Sequence, residues 1–123
     1  MTRVISDMVR PNGVIGTADG NTLYVADWGG GKVYRYFVSR DGGLSNKTLF
    51  ASVVCDGMTL DNEGNVYMAS DAVLVYDPLG RLIARIEVPE QPTNLTFGGP
   101  DRRTLFITAR TSLYTLRMSV RGV

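Results

Sequence analysis

The sequence predicts an all-β protein of propeller type, and three observations predict it. Short runs of β-branched and aromatic residues recur along the whole chain, while the 3.6-residue periodicity of an amphipathic helix is hard to find. Between the runs lie turn clusters, Asp19-Gly20-Asn21, Asp41-Gly42-Gly43, Glu63-Gly64-Asn65 and Pro78-Leu79-Gly80. Tight hairpins need such residues because Gly and Asn take positive φ at little cost. A three-fold repeat then orders the hairpins. Segments starting at Asn12, Asp56 and Thr93 share one grammar: a short apolar strand, a polar Gly-containing turn, and an aromatic-containing strand ending in a small residue. Their spacing of about 40 residues, with four strands to a repeat, is that of propeller blades.

Taken in order, residues 3–9, opening with Arg3-Val4-Ile5-Ser6, read as a strand that precedes the first repeat and completes a neighbouring blade. The first blade covers residues 12–52, with strands expected at 22–26 and 32–38. The second covers 56–88, with strands at 65–69, 73–76 and 81–88. The third covers 93–118, with strands at 104–108 and 113–118, and stops after its third strand. Residues 1–123 thus form one partial propeller domain of about three four-stranded blades. Rings of this kind close with four to eight blades. Three blades alone leave apolar faces and strand edges open. The expectation is a piece of a longer propeller or one half of a dimer.

Composition narrows the function classes. The chain is 44% hydrophobic and 20% charged, ordinary globular usage, and its net charge of +1 contains no block of like charges. Nucleic acid and anionic membrane are therefore not expected partners. No apolar run reaches the roughly 18 residues that span a bilayer, and Met1 to Arg10 has no signal-like apolar stretch, so the expected location is cytoplasmic. The sequons at Asn46 and Asn94 are then read as chance. The single cysteine, Cys55, fits a reducing compartment and reads as a small buried residue.

There is no histidine. That removes Ser-His-Asp triads, Cys-His pairs and the usual zinc sites together, leaving carboxylates, amides, hydroxyls or a hard metal ion. Two candidates stand at equivalent points of consecutive repeats: Asn12 in Pro11-Asn12-Gly13 and Asp56 in Asp56-Gly57-Met58. Oxygen donors of this type suit Ca²⁺ or Mg²⁺. The same dipeptides, Asn-Gly and Asp-Gly, are also common turn formers, and spacing alone leaves both readings open. Trp28-Gly29-Gly30-Gly31-Lys32 lacks the Ser or Thr and the helix of a phosphate loop, so it reads as a hairpin connection with Trp28 at a pocket rim. Asp61 to Asn65 lacks the ligand alternation of an EF-hand and reads as a turn. Tyr24, Tyr34, Tyr67, Phe97 and Phe106 are assigned to packing between blades.

The motifs Arg10-Pro11-Asn12-Gly13-Val14, Asp19 to Asp27, Cys55 to Asp61 with Gly64-Asn65-Val66-Tyr67, and Pro92 to Gly99 resemble the SMP-30/gluconolactonase/luciferin-regenerating-enzyme family, and the likeness runs from Arg3 to Gly122. The resemblance implies a six-bladed propeller, of which this chain is half, with one axial divalent cation: Ca²⁺, or Mg²⁺, Mn²⁺ or Zn²⁺. It implies a hydrolase of lactones or related esters. It also makes Asn12 and Asp56 metal ligands and Asp56 the catalytic carboxylate, which either activates a water or only holds the ion. The family's first-blade acidic ligand and a further asparagine-bearing blade fall upstream of Met1 in this comparison.

Three functional readings follow. A lactonase would be completed by the other half of the propeller or by a head-to-tail homodimer with two Asn12 and two Asp56 around one axis. An inactive fragment or interaction module would need neither. A propeller of the strictosidine-synthase or NHL type would share the blade grammar but not the Asn12 and Asp56 pair.

Overall fold

The structure is a computed structural model describing all residues from Met1 to Val123. It contains eleven strands and no helix, so no helix is long and apolar enough to cross a membrane. The strands are β1 (Pro11–Gly16), β2 (Thr22–Asp27), β3 (Lys32–Val38), β4 (Leu44–Ala51), β5 (Met58–Leu60), β6 (Val66–Ala69), β7 (Val73–Tyr76), β8 (Leu82–Ile86), β9 (Pro92–Gly98), β10 (Thr104–Ala109) and β11 (Ser112–Arg117). They form three antiparallel meanders: β1-β2-β3-β4, β5-β6-β7-β8 and β9-β10-β11. These are the three expected blades. The third has three strands, as the repeat pattern implies. Residues 1–8 pair with no strand of this chain.

The turns are made by aspartates. Asp19, Asp41, Asp61, Asp77 and Asp101 each accept main-chain N–H bonds from residues two to four further on, as Asp77 does from Leu79 and Arg81 at 3.0 and 2.9 Å. A short carboxylate that caps its own loop satisfies amides that would otherwise interrupt each hairpin. At the β5–β6 turn, Gly64 takes a φ of 85°, which a side chain would strain.

Two compact units divide the chain, Met1–Cys55 and Asp56–Val123. In the first, one face of the β1–β4 sheet buries Tyr24, Ala26 and Val33, and Phe50 meets Tyr24 edge-on at 4.8 Å. The pleat sends Leu23 and Val25 to the opposite face. There residues 3–6 and Met8 bound a groove of about 310 Å³ together with Pro11, Leu23, Val25 and Leu44. The second unit packs two sheets against each other. Its core joins Tyr67, Ala69, Val73 and Val75 of one sheet to Leu95, Leu105 and Ile107 of the other, with Phe97 edge-on to Tyr67 at 5.3 Å. Leu105 is fully buried there. Leu105→Ala is expected to cost about 2–5 kcal/mol by chemical denaturation, the usual range for a deleted core leucine. A loss below about 1 kcal/mol would mean the sheets do not pack this way.

Candidate metal and substrate site

The candidate ligands sit on matching irregularities of the first strands. In the first sheet β1 pairs with β2 at Pro11↔Asp27 and next at Val14↔Val25. Asn12 and Gly13 therefore face Ala26 alone, which makes a β-bulge. In the second sheet Asp56 N–H donates to Ala69 O and Ala69 N–H donates to Gly57 O, both at 2.9 Å, so Asp56 and Gly57 likewise face one alanine. The third sheet repeats the step: β9 advances from Pro92 to Asn94 while β10 moves only from Ala109 to Thr108. Ala26, Ala69 and Ala109 are all fully buried. A bulge turns one side chain out of the ladder's alternation. The first bulge residue opposite the buried alanine is Asn12 in the first sheet, Asp56 in the second and Pro92, which offers no side-chain donor, in the third. Neither Asn12 nor Asp56 lies in a reverse turn, so the turn-former reading of the two dipeptides does not describe their backbone.

Each ligand candidate has its own surroundings. Asn12 is exposed at the start of β1, in the first unit. Asp56 is half-buried and belongs to the second unit. Gly57 N–H donates to Thr93 O at 3.0 Å, tying the bulge to the next sheet. A Cβ on Gly57 would come within 2.1 Å of the Asn94 side-chain oxygen, so only glycine admits Asn94 here. The donors fit a hard cation in kind, an amide oxygen and a carboxylate. No group of three or more His, Cys, Asp or Glu side chains gathers in this chain to hold a metal ion.

Sequence reasoning missed the role of Asp27. Its carboxylate is buried and accepts three main-chain amides: Val9 at 3.0 Å, Arg10 at 2.8 Å and Gly30 at 3.2 Å. The amide of Arg10, then that of Val9, holds its pKa below the usual aspartate value against the opposing effect of burial. A depressed carboxyl stabilises the fold above the unfolded-state pKa, and that contribution is lost as pH falls through the folded value. The β2–β3 hairpin Trp28 to Gly31 is the turn expected. Trp28 is partly exposed, with the Arg10 guanidinium 5.7 Å from its ring centre. Cys55 is fully buried.

Comparison with known proteins is decided by one match: the SMP-30/Gluconolactonase/LRE-like region profile covers residues 1–111. The chain belongs to this family. Among SMP-30/gluconolactonase relatives, the pentonolactonase XacC of Haloferax volcanii is 32% identical over 118 residues, covering 88% of this chain and 40% of that protein. The solved gluconolactonase of Xanthomonas campestris superposes with a TM-score of 0.83 at 33% identity, covering 92% of this chain and 39% of its own. The calcium-binding protein regucalcin of Agrobacterium tumefaciens superposes at 0.86 with 28% identity, covering 99% and 50%. This chain spans half or less of the length of the curated relatives it matches.

Proposed function

We propose that the chain is a half-propeller of a divalent-cation-dependent lactonase, with Asn12 and Asp56 as cation ligands. The observation that carries this is the shared bulge: two oxygen-bearing side chains occupy one structural position in consecutive blades, each opposite a buried alanine. The names of the relatives support the reaction class, and the calcium-binding relative supports Ca²⁺ over softer metals.

A cation held by these oxygen donors would supply Lewis acidity, polarising the lactone carbonyl and steadying the charge on its oxygen. The chain's own part is to hold the donors and to handle one proton. With no histidine present, a carboxylate is the natural acceptor, and Asp56 either takes a proton from the attacking water or serves as ligand alone. Water adds to the carbonyl carbon, the ring C–O bond breaks, the released alkoxide takes a proton, and the product is a hydroxy acid.

Two donors leave most of the coordination sphere to water, substrate and further blades. In this reading a second copy completes the ring head to tail, with residues 3–9 of each copy extending the partner's β11 edge. The test is molar mass by light scattering with and without CaCl₂, combined with Ca²⁺ calorimetry. A dimer that binds Ca²⁺ is expected. A monomer that binds none points instead to an interaction module or to dependence on a separate half-propeller.

A further inference from the structure

We infer that Asp27 is a positioning residue that fixes the backbone leading into Asn12, an inference that rests on the reading of Asn12 as a cation ligand. The turn aspartates bond amides within a few residues of themselves. Asp27 instead reaches back 17 and 18 residues, to Arg10 and Val9, while also holding Gly30 of its own hairpin. One buried carboxylate thus joins two separate stretches of chain: the approach to β1 and the Trp28 to Gly31 hairpin. Asn12 begins two residues beyond the clamped Arg10.

The packing around the carboxylate matches that role. A Cβ on Gly30 would stand 2.6 Å from the Asp27 side-chain oxygen, and one on Gly29 would stand 2.8 Å from the Arg10 Cβ. The hairpin therefore fits against residues 9–10 only because both positions are glycine. Gly29 N–H also donates to Arg10 O at 3.4 Å. The residues that follow the buried alanines in the other two sheets are Ser70 and Arg110, so the carboxylate is confined to the sheet that carries Asn12. A bulge residue at the exposed end of an edge strand has few neighbours to hold it, and Asp27 supplies the missing constraint from behind the strand.

The test uses the full chain and four variants. Asp27→Asn keeps the shape and one acceptor oxygen but turns an NH₂ group toward amides that need an acceptor. Calorimetry with CaCl₂ should show affinity reduced about 10–100-fold, the usual effect of losing a ligand's outer support. In metal-free protein, hydrogen exchange at the Asn12 and Gly13 amides should accelerate by about tenfold. Asp77→Asn disrupts a turn of similar chemistry in the second unit and should lower stability while changing neither quantity. Gly30→Ala, which crowds the carboxylate without removing it, should reproduce the Asp27→Asn pattern if that variant folds poorly. Asp27→Asn behaving like Asp77→Asn, with affinity and exchange unchanged, overturns the inference. Asn12→Ala separates the two claims. If it leaves Ca²⁺ affinity intact, the ligand reading fails and the exchange measurement alone decides for Asp27. If it abolishes binding while Asp27→Asn does not weaken it, the positioning role alone fails.

Discussion

Asp56→Asn is expected to abolish lactone turnover in a propeller assembled from this chain, at little cost in stability. Three main-chain bonds hold this position: Asp56 N–H to Ala69 O, Ala69 N–H to Gly57 O and Gly57 N–H to Thr93 O. An isosteric amide leaves all three in place. What the substitution removes is the negative charge and the ability to accept a proton. If Asp56 is the base, kcat falls by about 10²–10⁴ while metal content stays at the wild-type level. If it acts only as ligand, metal content and turnover fall together, and added CaCl₂ restores part of both. Measuring kcat alongside metal stoichiometry by atomic spectroscopy separates these outcomes. Normal turnover with normal metal content would remove Asp56 from the chemistry altogether.

The sequence was most legible where the physics is local. Hairpin turns depend on a few adjacent residues, and Asp19-Gly20-Asn21 and Asp41-Gly42-Gly43 form the turns they announce. The repeat was legible because each blade restates the same short pattern. Strand β4 was not foreseen: Ser45 to Leu49 are exposed and mostly polar, so no apolar alternation marks them, and pairing with β3 alone makes the strand. Strand β8 is shorter than the expected 81–88 because its residues are exposed except Ile86, and pairing with β7 sets its ends. Asn12 and Asp56 stand at equivalent points of the sequence repeat, but the bulge they share depends on register against Ala26 and Ala69, which no local pattern encodes. Asp27 was hidden for the same reason, since its partners lie a hairpin away in sequence. Asp61 to Asn65 reads as a plain turn because it lacks the ligand alternation of an EF-hand, and that turn forms, yet Asp61 within it is completely buried.

That burial sets the second large effect. Asp61 accepts the main-chain amides of Glu63 and Asn65, the side-chain amide of Asn65 at 2.9 Å, and the Tyr67 hydroxyl at 3.0 Å. Burial first, and then the charge of Asp61, pushes the Tyr67 pKa up, so the hydroxyl stays a proton donor across the working range. Asp61→Ala strands these donors where water cannot replace the carboxylate. It is expected to cost about 3–5 kcal/mol, near the upper end for one substitution. Tyr67→Phe deletes only one donor, keeps the ring against Phe97 and should cost about 1–2 kcal/mol. Urea denaturation of both variants checks the ordering, and an Asp61→Ala loss no larger than that of Tyr67→Phe would contradict the network. The turn held by Asp61 closes one end of the β5–β6 hairpin, while the Asp56 bulge opens the other. Asp61→Ala, assayed well below its melting point, should therefore retain the Ca²⁺ affinity of the wild type. Asp56→Asn should do the reverse, keeping the fold while losing the chemistry. Stability and activity then part company within a single hairpin, the behaviour expected if Asp61 serves the fold and Asp56 the proposed cation site.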